Sequence, residues 1–336
     1  MSLPWPAPWE KLFGRQAPLV VEIGFGGGEY LIDLATRHPD RNHVGIEVSY
    51  VSLCNLLRRV SRERISNVRA LQGNAVAVLT TLFAPDSLTD VHLNFPDPWP
   101  KDRHATRRFV QDTTIALLAD RLQEAGHFRT ATDHAGLADW MAEVLERQGC
   151  LRSLHDSTSV PHIKGRFPTR YERKAREAGT PIRYFEWEKV RPPTIEFPVP
   201  EVHPMPNVTL RRRSDAGSAP DRVAARRLPS RTWQENDGPL PILVKLLATY
   251  DDPGGGLLLE TLVKEGPLSQ HFAVVLAPRT GGEVLLKLST LGHPRPTWGV
   301  KRALLLLASH VLDTSPWLEL HASTVGEVEP EEDPIC

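Results

Sequence analysis

Cysteine is scarce in this chain of 336 residues, which contains only Cys54, Cys150 and Cys336. The three lie far apart, are odd in number, and show neither CxxC nor Cys/His ligand spacing. This usage disfavours a disulfide framework and a zinc site, and it fits a reducing cytoplasm. We therefore expect no metal site and a cytoplasmic protein.

Long apolar runs and a strong charge imbalance are also missing. No stretch of about 18 apolar residues is present, so we expect no membrane-spanning segment. Residues 1–14 lack a basic region followed by an apolar one, so we expect no signal peptide. The net charge is −1, so overall charge predicts neither a nucleic-acid nor a membrane partner, and local charge has to decide.

The chain is long enough for two domains, and its patterns divide it. Strand and helix signals alternate over residues 18–190, which predicts an α/β fold with a Rossmann-like sheet and flanking helices in a domain over 1–198. One helix is expected over 105–121. Residues 199–238 are rich in Pro and Arg and are interpreted as a linker. A smaller α+β domain, with three strands and a helix over 297–314, is expected over 239–325, followed by an acidic tail over 326–336.

A glycine-rich stretch, "EIGFGGG" over 22–28, follows the first predicted strand. Gly24 and Gly26 allow a tight turn and a close approach to a ligand at the binding edge of a parallel sheet. The spacing is not GxGxxG, and Glu22 before the first glycine would repel a pyrophosphate. It suits a ligand that has an ammonium group and no phosphate, such as S-adenosylmethionine. A plain tight turn is the alternative.

Two further strand ends carry side chains that can accept hydrogen bonds. Glu47 ends the second predicted strand, where a Rossmann-type site places an acid to bind ribose hydroxyls. Asn74 ends the third, where its carbonyl can accept from an adenine amino group. A surface acid and a turn asparagine are the ordinary alternatives. Three such strand ends together favour a cofactor site.

The stretch "NFPDPWPKDRHATRR" over 94–108 places Asp97 between two prolines. Proline fixes its own φ angle and restricts its neighbour, so the carboxylate is held with little ordering cost. Asp97 can accept hydrogen bonds from the donor edge of guanine, and the basic residues that follow can meet phosphates. The alternative is a structural turn in which Asp97 caps a helix.

These motifs, together with "FPTRYERKAREAGTPI" over 167–182, resemble the bacterial tRNA (guanine-N7)-methyltransferases. The resemblance covers about residues 18–190 and leaves 199–336 unmatched. It implies a class I methyltransferase that uses S-adenosylmethionine and acts on guanosine 46 in the variable loop of tRNA. No obligate protein partner is evident. The role of 239–325 stays open among RNA binding, dimerisation and stabilisation.

The resemblance also implies a role for each matching residue. Glu22, Gly24, Gly26, Glu47, Asn74 and Asp97 fall at cofactor positions, and Asp97 is also the active-site acid; Asn74 departs from the acid expected there. Substrate contacts are expected from Lys101, Asp133, Thr169, Arg170, Tyr171 and Glu172. RNA contacts are expected from Arg103, His104, Arg107 and Arg108. We also expect the segment before Glu172 to be a mobile loop that closes over the substrate.

Two other functions fit parts of the sequence. An adenine amino-methyltransferase carries an Asn/Asp-Pro-Pro-aromatic loop at the same strand end, which "NFPDPW" resembles. A non-catalytic RNA-binding protein with a methyltransferase fold is the other alternative, against which the intact Glu22, Glu47 and Asp97 argue.

Overall fold

A computed structural model describes residues 3–216, 228–236, 238, 240–252 and 254–326 of the chain. The chain forms two compact units, Met1–Val199 and Pro200–Cys336, and each has its own apolar core. In the described residues, no helix combines the length and apolar character needed to cross a membrane. Nor do those residues contain a cluster of His, Cys, Asp and Glu suited to a metal ion.

The first unit is built on a seven-stranded sheet of order β3-β2-β1-β4-β5-β7-β6. Strands β1 to β5 run parallel, and β7 pairs antiparallel with both β5 and β6. This confirms the predicted Rossmann-like sheet. The strands are β1 Leu19–Ile23, β2 Asn42–Glu47, β3 Val68–Gln72, β4 Leu88–Asn94, β5 Leu122–Thr132, β6 Leu151–Ser153 and β7 Arg183–Lys189.

Helices connect these strands and flank the sheet, as the alternating pattern predicted. The prediction of a single helix over 105–121 is wrong. A 3₁₀ turn over Asp102–Arg107 is followed by extended backbone at Arg108, and the α-helix begins only at Asp112. The helices are α1 Trp9–Phe13, α2 Glu29–Arg37, α3 Tyr50–Arg62, α4 Ala75–Leu82, α5 Asp112–Arg121, α6 Ala135–Gln148 and α7 Arg170–Glu177.

The two faces of this sheet differ in chemistry. Side chains alternate between faces along a strand, and Val21, Ile23, Val91 and Leu93 belong to the large apolar core on one face. The intervening positions on β1 and β4 lie on the other face, where buried polar side chains are found. They are Glu22, Asp90 and His92. A parallel sheet covered on both faces is usually apolar throughout, so this polar face indicates a functional site.

The second unit is a seven-stranded antiparallel sheet of order β14-β8-β13-β12-β11-β10-β9, against which one long helix, α8, packs. This is the predicted α+β architecture. The elements are β8 Asn207–Arg212, β9 Arg231–Glu235, β10 Ile242–Asp251, β11 Leu257–Glu265, β12 Leu268–Pro278, β13 Glu283–Leu288, α8 Trp298–Thr314 and β14 Leu318–Ser323.

The prediction of a linker over 199–238 is wrong where the chain forms the strands β8 and β9. Val208 and Leu210 of β8 are buried in the core of the second unit, and the strand pairs with β13 and β14. Arg211 and Arg212 at its end are exposed. Their charge made this segment resemble a linker, although pairing with distant strands stabilises it as a strand. Residues 217–227, which hold part of the arginine-rich stretch, and 327–336 of the expected acidic tail lie outside the described residues.

Candidate active site

A cavity of about 490 Å³ opens at the C-terminal ends of β1, β2 and β4. Its walls are the glycine-rich turn after β1, the end of β2, the loop after β4 and the start of α7. This is the edge at which open α/β sheets bind ligands. Glu22, Gly24, Gly26, Glu47 and Asp97, all predicted from sequence, lie in its lining.

The glycine-rich turn is held in a conformation that glycine adopts easily. Gly24 has φ 69° and Gly26 has φ 51°, in the left-handed region that side chains with a Cβ disfavour. A Cβ at either position would meet nothing within 4 Å, so the requirement is one of backbone conformation. The turn leads into α2, whose preceding residue, Gly28, is also left-handed.

Glu47 fixes this turn to the end of β2. Its Oε2 accepts from the backbone N–H of Gly26 at 3.0 Å. Its Oε1 accepts from the N–H groups of Val48 at 2.8 Å and Ser49 at 3.0 Å. A carboxylate has about four acceptor positions, so Glu47 is held rigidly while retaining capacity for a ligand hydroxyl.

Glu22 is the most perturbed acid of the cavity. It is 2% exposed, and its Oε1 accepts from Asn94 Nδ2 at 3.0 Å. Its buried Oε2 has no hydrogen-bond partner among the described residues. Burial raises the pKa of Glu22 to about 7, although the hydrogen bond from Asn94 and the charge of Arg166 oppose the shift. An unsatisfied carboxylate oxygen on a residue that lines a cavity suits a hydrogen-bond donor, and a cationic donor best.

Asn74 has a different position from the one expected. Its Oδ1 accepts from the backbone N–H of Val76 at 3.0 Å and of Ala77 at 3.3 Å, which caps α4. Asparagine is favoured at this position because its side chain satisfies free N–H groups of the first turn. Asn74 is not part of the cavity lining, so the ordinary structural interpretation accounts for this side chain.

The loop after β4 is strained and clamped. Phe95 has φ 50° and Trp99 has φ 40°, two left-handed non-glycine residues on either side of Pro96–Pro98. Arg108 holds the far end, since its Nε donates to the carbonyl of Pro98 and its Nη2 to that of Trp99, both at 3.2 Å. Asp97 is exposed, and its carboxylate has no hydrogen-bond or ion-pair partner in the part of the chain described.

The basic residues that follow the loop divide into two groups. The Arg107 guanidinium lies 5.0 Å from the ring centroid of Trp99, and the His104 ring meets the same indole edge-on at 5.8 Å. Arg103 donates to His104 at 3.4 Å, so three predicted RNA contacts gather around one half-buried tryptophan. Arg108 instead points into the loop and also covers Trp140, so it supports the loop. Lys101 is exposed.

The start of α7 forms the remaining wall. Thr169 caps the helix by accepting from the N–H of Glu172 at 3.1 Å, and it lines the cavity with Arg170 and Tyr171. The Tyr171 ring stacks on that of Phe95, with centroids 6.2 Å apart. Asp133 follows β5, is exposed and lies outside the cavity lining.

Glu172 lies below this wall in a buried ionic cluster, outside the cavity lining. Its side chain is fully buried. Its Oε1 accepts from Arg176 at 2.6 Å and from the Tyr184 hydroxyl at 2.8 Å, and its Oε2 accepts from Arg166 at 3.2 Å. An acid that is fully buried and bonded to two arginines and a tyrosine does not suit a mobile loop, so Glu172 supports the helix from beneath.

Sequence reasoning missed two residues of the site. Asn94 is the last residue of β4 on the polar face, and it contacts Glu22, which is 72 positions away. Arg166 donates to Asn94 Oδ1, also 72 positions away, and to the hydroxyl of Tyr30 at 3.2 Å. The alternation of β4 could have identified Asn94. Nothing local marks Arg166 among the other basic residues near it.

The fold and this site define the class of protein. A parallel sheet of order 3-2-1-4-5 extended by a reversed β7, with a glycine-rich turn after β1 and acids at the ends of β1 and β2, is the class I methyltransferase architecture. The sequence model of a family described as "Putative methyltransferase" matches residues 16–184, just over half of the chain.

Similar proteins narrow the family. The tRNA (guanine-N(7)-)-methyltransferase of Mycolicibacterium paratuberculosis is 42% identical over 182 residues, which cover 54% of this chain and 70% of that protein. The proteins with the same name from Nocardia farcinica and Mycolicibacterium vanbaalenii are 42% and 45% identical, covering 72% and 69% of their lengths. The chain belongs to the family of the tRNA (guanine-N7)-methyltransferases, which confirms the resemblance noted in the sequence.

Solved structures resemble the chain more distantly. The crystal structure of an aminoglycoside resistance methyltransferase is 15% identical and has a TM-score of 0.40, covering 54% of this chain and 92% of that one.

We predict that Glu172→Ala lowers the free energy of unfolding by about 3–5 kcal/mol, because it leaves the buried Arg166 guanidinium without its carboxylate. Glu177→Ala, at an exposed position of the same helix, should change it by less than about 0.5 kcal/mol. Urea unfolding followed by circular dichroism measures both. A Glu172 variant of wild-type stability would instead support the direct substrate contact that the family motif implies.

Proposed function

We propose that this protein transfers a methyl group from S-adenosylmethionine to N7 of guanosine 46 in the variable loop of tRNA. The observation that carries the proposal is Asp97, which a strained loop holds exposed at the cavity and without a partner among the described residues. The chain is 40–45% identical over its matched part to proteins named tRNA (guanine-N(7)-)-methyltransferase. A tRNA substrate also implies a cytoplasmic location.

The residues of the cavity fit the cofactor. The unpartnered Oε2 of Glu22 suits the ammonium of the methionine moiety, and Glu47 has acceptor capacity for ribose hydroxyls. The cavity volume of about 490 Å³ lies within the range of small-molecule sites. When bound, the cofactor supplies a methyl group activated by its sulfonium. Asn74 contributes by fixing the start of α4.

Asp97 acts on the base. Guanine N7 carries a lone pair in the neutral base, so no general base is needed to create the nucleophile. The requirement is alignment of N7 with the methyl carbon. The carboxylate of Asp97 can accept from N1–H and the exocyclic amine, and it stabilises the positive charge that the purine gains. Thr169, Arg170 and Tyr171 line the same cavity.

The basic side chains around Trp99 bind the RNA backbone. Arg103, His104 and Arg107 lie beside the loop that carries Asp97, and Lys101 is exposed next to them. Contacts of this kind set the position of a nucleic acid, and base contacts set its specificity. Arg108 is occupied by the loop carbonyls and contributes by holding Asp97 in place.

The two alternatives are less well supported. An adenine amino-methyltransferase would use the side chain of the loop asparagine to bind the amino group. Here both ends of the Asn94 amide are engaged, by Glu22 and by Arg166. A non-catalytic RNA-binding protein would not need an unpartnered Glu22 oxygen in the cavity together with the exposed, clamped Asp97.

The deciding experiment is methylation of unmodified tRNA transcripts with labelled S-adenosylmethionine, followed by mapping of the modified base. We expect N7-methylguanosine at position 46 and no incorporation into a transcript with adenosine there. Methyl transfer to an adenine amino group, or to guanosine elsewhere, would refute the proposed specificity.

Asp97→Asn should lower turnover at least ~100-fold, because the neutral amide cannot stabilise the developing charge. The dissociation constant for S-adenosylhomocysteine should stay within about threefold of wild type, since the change is at the base side of the cavity. Single-turnover methylation and calorimetry separate the two effects. Wild-type turnover would remove Asp97 from the mechanism.

Cofactor affinity should depend on pH through Glu22. An ammonium prefers the ionised carboxylate, so below the pKa of about 7 the affinity for S-adenosylhomocysteine should fall by about tenfold per pH unit, and above it the affinity should level off. His92, with a pKa lowered to about 3 by burial, does not titrate in this range. Calorimetry from pH 5.5 to 8.5 tests this, and Glu22→Gln should bind weakly without the inflection.

A further inference from the structure

One buried guanidinium connects four elements of the first unit. Arg166, in the segment before α7, donates through Nη1 to the Tyr30 hydroxyl on α2 and through Nη2 to Asn94 Oδ1 at the end of β4. Its Nε donates to Glu172 on α7, and its charge lies 4.8 Å from the Tyr30 ring centroid and 5.4 Å from that of Tyr184 on β7. Its side chain is 7% exposed.

The chemistry of this group determines the orientation of Asn94. A guanidinium has donors and no acceptor, so only the oxygen of the Asn94 amide can face it. The amide nitrogen is then directed at Glu22, to which it donates at 3.0 Å. With the amide reversed, its nitrogen would face the guanidinium and its oxygen would face the carboxylate, so Arg166 and Glu22 together fix the observed orientation.

The same contacts reach the opposite wall of the cavity. Glu172, which Arg166 holds from below, donates its backbone N–H to Thr169, the cap of α7. Thr169 and Tyr171 line the same cavity as the glycine-rich turn. The guanidinium therefore connects Glu22 to the wall that the start of α7 forms.

We propose that Arg166 is the positioning residue of the cofactor site: through Asn94 it presents Glu22 with one oxygen free for the cofactor ammonium, and through Glu172 it sets the wall of α7. The inference rests on the cofactor site of the proposed function and does not depend on the RNA or the base that is methylated.

The pKa of Glu22 depends on the charges that face it, and this gives a measurement that distinguishes positioning by Arg166 from a purely structural role. Arg166 from the segment before α7 lowers the pKa of Glu22, and Glu47 from β2 raises it. His92 from β4 stays neutral, with a pKa lowered to about 3, and Tyr30 from α2 also stays neutral, with a pKa raised to about 12. Removing the cation of Arg166 therefore moves the titration of Glu22, and the inflection of cofactor binding, to higher pH.

The test is a double-mutant cycle on binding of S-adenosylhomocysteine, measured by calorimetry with Arg166→Lys, Asn94→Ala and the double variant. Lysine keeps the charge and loses the fixed geometry that connects the four elements. Each single variant should bind at least tenfold more weakly. The double variant should bind about as weakly as Arg166→Lys alone, because that change already breaks the contact through which Asn94 acts.

A second measurement uses Arg166→Met, which removes the charge. The pH inflection of binding should rise by at least half a unit in this variant and stay in place in Arg166→Lys. Arg37→Met is the matched control, because Arg37 donates to the carbonyl of Gly165 at 2.8 Å and so anchors the same segment without contacting Asn94. It should bind as wild type does.

Additive losses in the cycle, an inflection that does not move, or an equal loss in Arg37→Met would overturn the inference. If Arg166→Met does not fold, as judged by circular dichroism, the cycle with Arg166→Lys decides alone. Failure of the wild-type protein to bind S-adenosylhomocysteine would instead refute the proposed cofactor site. A wild-type protein that binds S-adenosylhomocysteine and does not methylate tRNA would count against the proposed substrate only.

Discussion

A buried positive charge constrains the arrangement of the cavity. The guanidinium of Arg166 can only donate, so every group that meets it has to accept. This condition orients the amide of Asn94, whose oxygen accepts from the guanidinium. The Glu172 carboxylate accepts from the same guanidinium beneath α7. The Tyr30 hydroxyl also accepts from Arg166, so it has to donate its own proton to another group. His92 Nδ1, 3.2 Å from that hydroxyl, is the acceptor available. A buried charge without partners costs several kcal/mol, so these contacts form as a set.

The two faces of the first sheet contribute differently, one to the stability of the unit and the other to its ligand site. One face packs Val21, Val91 and their neighbours into the main core, and this supplies the burial that folds the unit. The opposite face gives up apolar contacts at Glu22, Asp90 and His92, which are polar and buried. Glu22 is removed from water on this face, and that burial raises its pKa to about 7.

The strained loop after β4 is also fixed by contacts with the structure around it. Left-handed Phe95 and Trp99 cost on the order of 1–3 kcal/mol each, and such residues persist only where the surrounding structure fixes them. Here Arg108 fixes the far end of the loop, and the stacking of Phe95 on Tyr171 fixes the near end. The result is an exposed Asp97 that needs no further ordering to meet a substrate.

The sequence by itself determined the features whose signals are local. Short stretches of neighbouring residues encode the strand ends with Gly24, Glu22 and Glu47, the proline-bracketed Asp97, and three strands and the helix of the second unit. A turn, a strand pattern or a proline restriction acts on neighbours along the chain, so such features can be read without the fold.

Only the tertiary structure decided the rest, because those features depend on partners far along the chain. Strand β8 looked like linker because its apolar positions are few and gain their burial from β13, about 75 residues later. Glu172 looked like a substrate contact, yet its side chain is fully buried and bonded to Arg166, Arg176 and Tyr184. Arg166 resembles other basic residues until folding brings Tyr30, 136 positions away, to its guanidinium. A charged side chain acquires its role from what surrounds it, and for this arginine only the folded chain supplies those surroundings.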